Sequence, residues 1–297
     1  MLPEVVFRGV AIVATLAAVA GCGTPPPASQ FPTADDALGR MKAQYACVNG
    51  LQSETKIDVV SKRGRVKGDA LFFAVNPARV RVDVVSPFGA TLYTLTSDGR
   101  NFKMLDLPEK QFLLGPASAC NLARLTQVPL EGHALVSILR GEAPVLKHEA
   151  SATSITWDSD EGRYQLEVRG SHDAVQRVAL AVHDADLGKP WNQQRVRMMG
   201  VAVAQRGLDL WDVELGDYKP AKTAPAYEDP DGIDPPLPPS GPTCDAEAPR
   251  SLRMKVPHTA DDVLLEVSEL TWNPPLRGGT FDQPMPGGVR RVPVDCR

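Results

Sequence analysis

The chain has 297 residues, a formal net charge of −4 and 43% hydrophobic residues, enough for the core of one large β domain or two ordinary ones. The mildly acidic balance excludes the basic surface expected of a nucleic-acid binder. Of five cysteines, four lie beyond the first 22 residues, an even number that suits two disulfides in an oxidising compartment.

Val10 to Ala20 form an apolar run. It is shorter than the roughly 20 residues a membrane-spanning helix needs and has the length of a signal-peptide hydrophobic region. Arg8 is the only basic residue before it and is offset by Glu4. Val19-Ala20-Gly21-Cys22 sets a cysteine directly behind small residues, as in a bacterial lipoprotein cleavage site. The expectation is a signal peptide over 1–21 and lipidation of Cys22. Each buried CH₂ contributes about 0.8 kcal/mol to anchoring, and stable anchoring takes more than one chain, which a triacylated cysteine satisfies. Residues 22–32, with three consecutive prolines, read as a lipidated flexible tether. Residue 23 is Gly rather than Asp, so the inner-membrane retention signal is absent. The expected location is the outer membrane, facing the periplasm.

Thr33 to Ala46 reads as a helix. Thr33 can cap it, Asp35 and Asp36 suit its positive end, and Leu38, Met41 and Tyr45 keep near-helical spacing. The period then changes to two. Strands are expected near 53–62, 65–75, 78–86, 90–97, 100–106 and 110–114, with Val80, Val82 and Val84 on one face and Arg81 and Asp83 on the other. Two helices follow, Ala117 to Thr126 and Gly132 to Leu139. Strands resume near 152–158, 162–169, 174–183, 194–204 and 207–218, and again at 250–257 and 262–272. Short meander strands of this kind build an antiparallel sheet that curls or closes.

Residues 220–249 break the pattern, because "DPDGIDPPLPPSGP" cannot enter a sheet or helix interior. The two strands after it are too few for a stable domain, so residues 33–297 read as a single barrel with a long loop. Cys47, Cys120, Cys244 and Cys296 allow three pairings. Cys47–Cys120 with Cys244–Cys296 is the expected one, the second bond tying the loop to the chain end.

No catalytic set stands out: GxSxG, GxxxxGK[ST] and HExxH are all missing. Histidines 133, 148, 172, 183 and 258 lack metal-ligand spacing, so no metal, cofactor or enzymatic activity is expected. Asp229, Asp231 and Asp234 surround one glycine without the spacing of a calcium loop and read as a solvated acidic loop. Lys62, Arg63, Arg65 and Lys67 cluster around a turn. They read as a solvated hairpin tip, or else as a site for anionic lipid heads or an acidic partner.

The stretch "VRVDVVSPFGATLYTL" is more specific. Pro87 and Gly89 force a bend between two strands and leave Phe88 at the tip of a loop, where a large apolar side chain is costly unless it packs inward or meets lipid or a partner groove. Ser86 to Thr91 between two strands, together with "NLARLTQVPLEGHALVSILRGE" over 121–142, resembles the LolA/LolB superfamily, more closely its LolB branch of outer-membrane lipoprotein receptors. The second stretch is similar to that family's helix, G-x-P-type turn and second helix. The close resemblance covers residues 35–145.

The resemblance implies a mainly β fold with a few helices: an incomplete antiparallel β-barrel with a helical lid over an apolar cavity. That cavity would take acyl chains of lipoproteins or lipids from a LolA-type periplasmic carrier, with Val80, Val82, Val84, Leu92, Leu125, Leu135 and Ile138 as lining candidates. Pro87, Phe88 and Gly89 would form a membrane-insertion loop, Phe88 standing where the family has a protruding leucine. Greater length, the Pro-rich loop and four extra cysteines depart from the family and leave room for a specialised cargo. The alternative is a non-catalytic envelope assembly lipoprotein that uses the barrel and the Pro-rich loop as an interaction module.

Overall fold

In the computed structural model the period-two segments join into one large sheet. The structure describes residues 23–62, 64–86 and 88–296. The expected signal peptide, Cys22, Arg63 and Pro87 lie outside the described residues.

Helix α1 (Ala34–Gln44) starts where the sequence predicts. The Thr33 hydroxyl accepts from the Asp36 N–H at 3.1 Å and donates to the Asp36 carboxylate at 2.7 Å, so cap and first turn hold each other. Six strands follow as an antiparallel meander: β1 (Gly50–Ser61), β2 (Gly64–Val75), β3 (Arg79–Val85), β4 (Thr91–Ser97), β5 (Asn101–Asp106) and β6 (Gln111–Pro116). Then come α2 (Ala119–Thr126) and α3 (Gly132–Arg140). A second meander contains β7 (Thr153–Asp158), β8 (Arg163–Arg169), β9 (Ala174–Val182), β10 (Val196–Gln205) and β11 (Leu208–Gly216). The short β12 (Lys219–Pro220), β13 (Lys222–Thr223) and β14 (Glu247–Ala248) lead to a long hairpin, β15 (Ser251–Val256) and β16 (Asp261–Trp272), and to a last strand β17 (Arg290–Pro293).

That late hairpin unites the molecule. β16 pairs with β1 and β15 with β11, so two meanders made far apart in the chain become one sheet. The order runs β17-β6-β5-β4-β3-β2-β1-β16-β15-β11-β10-β9-β8-β7, and the sheet does not close. Two pairings are parallel, β17 on β6 and β13 on β16. The sequence reading has no strand at 290–293 or 222–223. Both are short edge additions whose pairing is set by distant strands rather than by their own period.

Helices fill the concave side unevenly. α1 packs on β7 and β10, while α3 packs on β2 and β3. The α1 half is dense with aromatic contacts: Tyr164 lies 5.3 Å from Phe31 and 4.9 Å from Trp157, ring centre to ring centre, each edge to face. The segment expected to be a free tether docks on this half. The Thr24 N–H donates to the Ser159 carbonyl at 2.7 Å, Trp157 Nε1 donates to the Thr24 carbonyl at 2.9 Å, and Phe31 is buried. Its prolines are already extended, so laying it along an open sheet edge costs little chain entropy.

Both disulfides differ from the expected pairing. Cys47 joins Cys244 and Cys120 joins Cys296. The reason is topological: because β16 pairs with β1, the end of the Pro-rich loop arrives beside the start of β1, not beside the chain end. The chain end instead follows β17 along β6 to α2. The loop is fastened a second time by Asn273, which is fully buried. Its Oδ1 accepts from the N–H groups of Asn49 and Gly50 at 2.7 and 3.1 Å. Its Nδ2 donates to the carbonyls of Cys47 and Pro242 at 2.8 and 2.7 Å.

One titratable contact spans α1 and the segment before β7. His148 Nδ1 lies 2.7 Å from the Leu146 carbonyl oxygen and Nε2 lies 3.0 Å from Asp35 Oδ1. An acceptor on each ring nitrogen favours the imidazolium, so the backbone carbonyl, and Asp35 after it, raise the pKa of His148. A raised histidine pKa adds stability that is fully present below the unfolded value near 6.5 and is lost as pH rises through the folded value. The stability lost in His148→Ala is therefore expected to be larger near pH 6 than near pH 9 in denaturant titrations. Equal losses at the two pH values would refute the charged pair.

Candidate functional site

Alternation on five strands sets one apolar face towards α2 and α3. Ile57 and Val59 come from β1, Ala70 and Phe72 from β2, Val82 and Val84 from β3, Met254 from β15, and Val263 and Leu265 from β16. Leu125 and Thr126 of α2 and Leu135 of α3 cover them. The single polar side chain is the Thr126 hydroxyl, which donates within 3.1 Å of the Leu122 carbonyl and so asks nothing of a ligand. What remains between these groups is a cavity of about 30 Å³. That is room for about one water, against roughly 300–1,000 Å³ for a small-molecule pocket. The interior is apolar and closed down.

Its two walls are held differently. Seven residues of α3 are buried, including Leu135 and Ile138. Only Asn121 and Leu122 of α2 are. Ile57 and Val59 on one side and Leu125 and Thr126 on the other are half-exposed, so the mouth lies between the β1–β2 hairpin and α2.

Of the lining candidates read from the sequence, Val82, Val84, Leu125 and Leu135 line the cavity. Val80 and Ile138 are buried in the adjoining core. Leu92 does not line it. The β3–β4 ladder sets Leu95 opposite Val82 and Tyr93 opposite Val84, so Tyr93 and Leu95 hold the inward positions and Leu92 falls on the other face, next to the bulge between Val84 and Val85. The sequence reading missed Phe72, Met254, Val263 and Leu265. Their alternation was visible, but which face turns inward depends on pairings across the whole chain.

Phe88 stands at the tip of the β3–β4 loop with 97% of its surface exposed. Ser86 makes that tip rigid. Its hydroxyl accepts from the N–H groups of Phe88 and Ala90 at 3.3 and 3.1 Å, its N–H donates to the Ala90 carbonyl at 2.8 Å, and its carbonyl accepts from Gly89 at 2.9 Å. Gly89 has φ +80°, which glycine adopts without strain. The loop therefore holds an aromatic ring out into solvent rather than letting it fold back.

The acidic loop and the basic turn also take definite forms. The Asp229 carboxylate accepts from the N–H groups of Ile233 and Asp234 at 2.8 and 2.9 Å, closing a turn on its own backbone. Among the described residues no cluster of His, Cys, Asp or Glu could hold a metal ion. At the β1–β2 turn, Arg65 and Lys67 both reach Asp58, the former at 2.7 Å through Nε and the latter at 3.3 Å. Arg65 beside it holds the Asp58 carboxyl down to about 2.

No protein-family model matches the chain, and no curated protein matches it. Solved structures of similar overall shape include a domain from Vibrio parahaemolyticus whose name provisionally assigns it to outer-membrane lipoprotein sorting, at 13% identity and a TM-score of 0.49, over 84% of this chain and 96% of that one. A DUF1329 family protein from Desulfovibrio piger is similar at 10% identity and a TM-score of 0.49, over 83% and 95%. A LolA superfamily protein from Nitrosomonas europaea is similar at 12% identity and a TM-score of 0.47, over 85% and 99% of the two chains.

Proposed function

We propose that this chain is a non-catalytic lipid-handling lipoprotein, anchored through Cys22 to the outer membrane and facing the periplasm. It receives acyl chains of lipoproteins or lipids from a LolA-type carrier and passes them to the bilayer. The observation that carries this reading is the apolar cavity under α2, whose mouth lies at the same end of the sheet as the exposed Phe88. An apolar wall hides acyl chains from water at about 25 cal/mol per Å², and transfer between two such walls needs only a downhill difference in affinity. The cavity is too small for an acyl chain, so loading requires the C-terminal half of α2, beyond the Cys120–Cys296 bond, to swing away, and among the described helices of eight residues or more α2 has the fewest buried residues.

Following the ladder from β3 to β7 puts the β7–β8 turn, where Thr24 docks, at the other end of the sheet from Phe88. For a lipid on Cys22 and Phe88 to share one bilayer, residues 23–30 undock from that half of the sheet. Extended, they span about 30 Å.

The test is loading of a fluorescent fatty acid. Ala70 is buried on the cavity wall. In Ala70→Leu the added methyl groups displace about two methylenes of a bound chain, an expected loss of about tenfold in affinity. Equal binding by both proteins, or none by the wild type, would overturn the reading. The interaction-module alternative is favoured by the nearly filled interior and by Ile233, 83% exposed on the Pro-rich loop. It would gain from a stable protein partner that is lost when 229–236 is removed.

A further inference from the structure

The β1–β2 hairpin runs past its neighbour. β3 pairs only with Asp69 to Val75, so residues 64–68 of β2 have no β3 partner and that edge of the hairpin is open on the side of the Phe88 loop, while β1 stays paired with β16 as far as Val60. Its two faces differ. Ile57 and Val59 point into the cavity mouth, and Val59 pairs with Val66, so Val66 is the next side chain outward on that same apolar face. Val66 is 58% exposed, with nothing covering it. The other face carries Lys67 opposite Asp58 and Arg65 opposite Val60, with Lys62 at the turn. Lys62, Arg65 and Lys67 are all exposed. Residues 56–67 hold five Lys or Arg and one Asp, a local +4 in a chain of net −4. Asp58 is already shared between Arg65 and Lys67 and cannot neutralise both.

We propose that this hairpin is an amphipathic landing for an anionic phospholipid bilayer: Lys62, Arg65 and Lys67 bind head-group phosphates while Val59 and Val66 continue the cavity wall to the membrane. The occupant follows from charge and shape. A strip with cations on one side and bare valines on the other, next to a protruding phenylalanine, matches a surface that is anionic outside and apolar beneath. The role of Val66 rests on the acyl-binding reading above. The electrostatic contact does not.

The experiment uses the chain from residue 23 on, which contains every element of the fold, and two readouts. Co-sedimentation with phosphatidylcholine vesicles, with and without phosphatidylglycerol, reports the landing. Fluorescent fatty-acid loading reports the cavity. Wild type is expected to prefer the phosphatidylglycerol vesicles and to lose that preference in high salt, since exposed charges are screened. Arg65→Glu with Lys67→Glu is expected to weaken vesicle binding on the order of thirtyfold or more, with fatty-acid loading unchanged. Both sites are exposed, and unchanged loading also certifies the fold. Equal binding to the two vesicle types, salt-independent binding, or undiminished binding by the double variant overturns the landing while leaving the cavity reading intact. Absent fatty-acid loading with charge-dependent vesicle binding sinks the cavity reading and keeps the landing.

Discussion

Asn273→Ala is expected to cost about 4 kcal/mol of unfolding free energy. The side chain is fully buried and uses its whole hydrogen-bonding capacity, two bonds accepted from β1 and two donated to the segments around the Cys47–Cys244 bond. Alanine leaves two backbone N–H and two carbonyl groups to find partners in a dry site, at about 1–3 kcal/mol for each that fails. Asn273 also has φ +51°, where asparagine is tolerated and alanine is strained by roughly 1 kcal/mol. Partial relaxation and water entry bring the sum back to about 4. Urea unfolding with both disulfides intact measures it. Asn273→Asp, which keeps the acceptor but turns a carboxylate oxygen onto the Cys47 and Pro242 carbonyls in a buried site, should cost at least as much at neutral pH. A loss below about 1 kcal/mol for the alanine variant would show that the Pro-rich loop is held by its disulfide and pairing alone.

That node also shows where reading the sequence stops. The helices and most strands were legible because their signals are local: Thr33 before an acidic first turn, alternating valines at 80–84, glycines such as Gly64 and Gly99 in hairpin turns. A curling antiparallel meander followed from counting such segments; its incompleteness and helical cover were implied by the family resemblance of residues 35–145. The disulfides were not legible. Their pairing depends on β16 returning to β1 across more than two hundred residues of chain, and nothing near Cys47 or Cys244 announces it. Asn273 looks like an ordinary polar residue after a strand, and only the completed sheet brings its four partners together. The cavity lining was half-legible for a related reason. Val82 and Val84 declare their face by alternation, but the register that sets Leu95 and Tyr93 opposite them, and so turns Leu92 away, appears only in the paired sheet. The Phe88 loop stands apart as a case where local punctuation was enough to place a loop tip. A proline, a phenylalanine and a glycine between two strands place the ring at that tip and leave inward packing or projection open; the structure has it projecting, with Ser86 supplying the hydrogen bonds of the turn.

Phe88→Glu is expected to abolish delivery of acyl cargo to vesicles while leaving loading and stability unchanged. Exposed to 97%, the ring contributes nothing measurable to the core, so the variant should unfold at the same urea concentration as wild type. Inserting a phenylalanine into the acyl boundary is worth about 1.5–3 kcal/mol, and a carboxylate in its place is repelled by an anionic surface as well. Together these give roughly a hundredfold fall in the delivery rate. Phe88→Leu keeps an apolar tip of smaller area and should retain most of it. The assay passes an acylated lipoprotein from a LolA-type carrier, shown competent on its own, to the chain from residue 23 on, and then to liposomes. Loading in the first step with failure in the second places the membrane step at this loop. Delivery by Phe88→Glu at the wild-type rate would remove the loop from the mechanism and leave Ser86's hydrogen bonds as the scaffold of a turn with no lipid role. The three arms separate because the Phe88 ring is almost wholly exposed, so a change of that side chain leaves the packing of the cavity wall as it is.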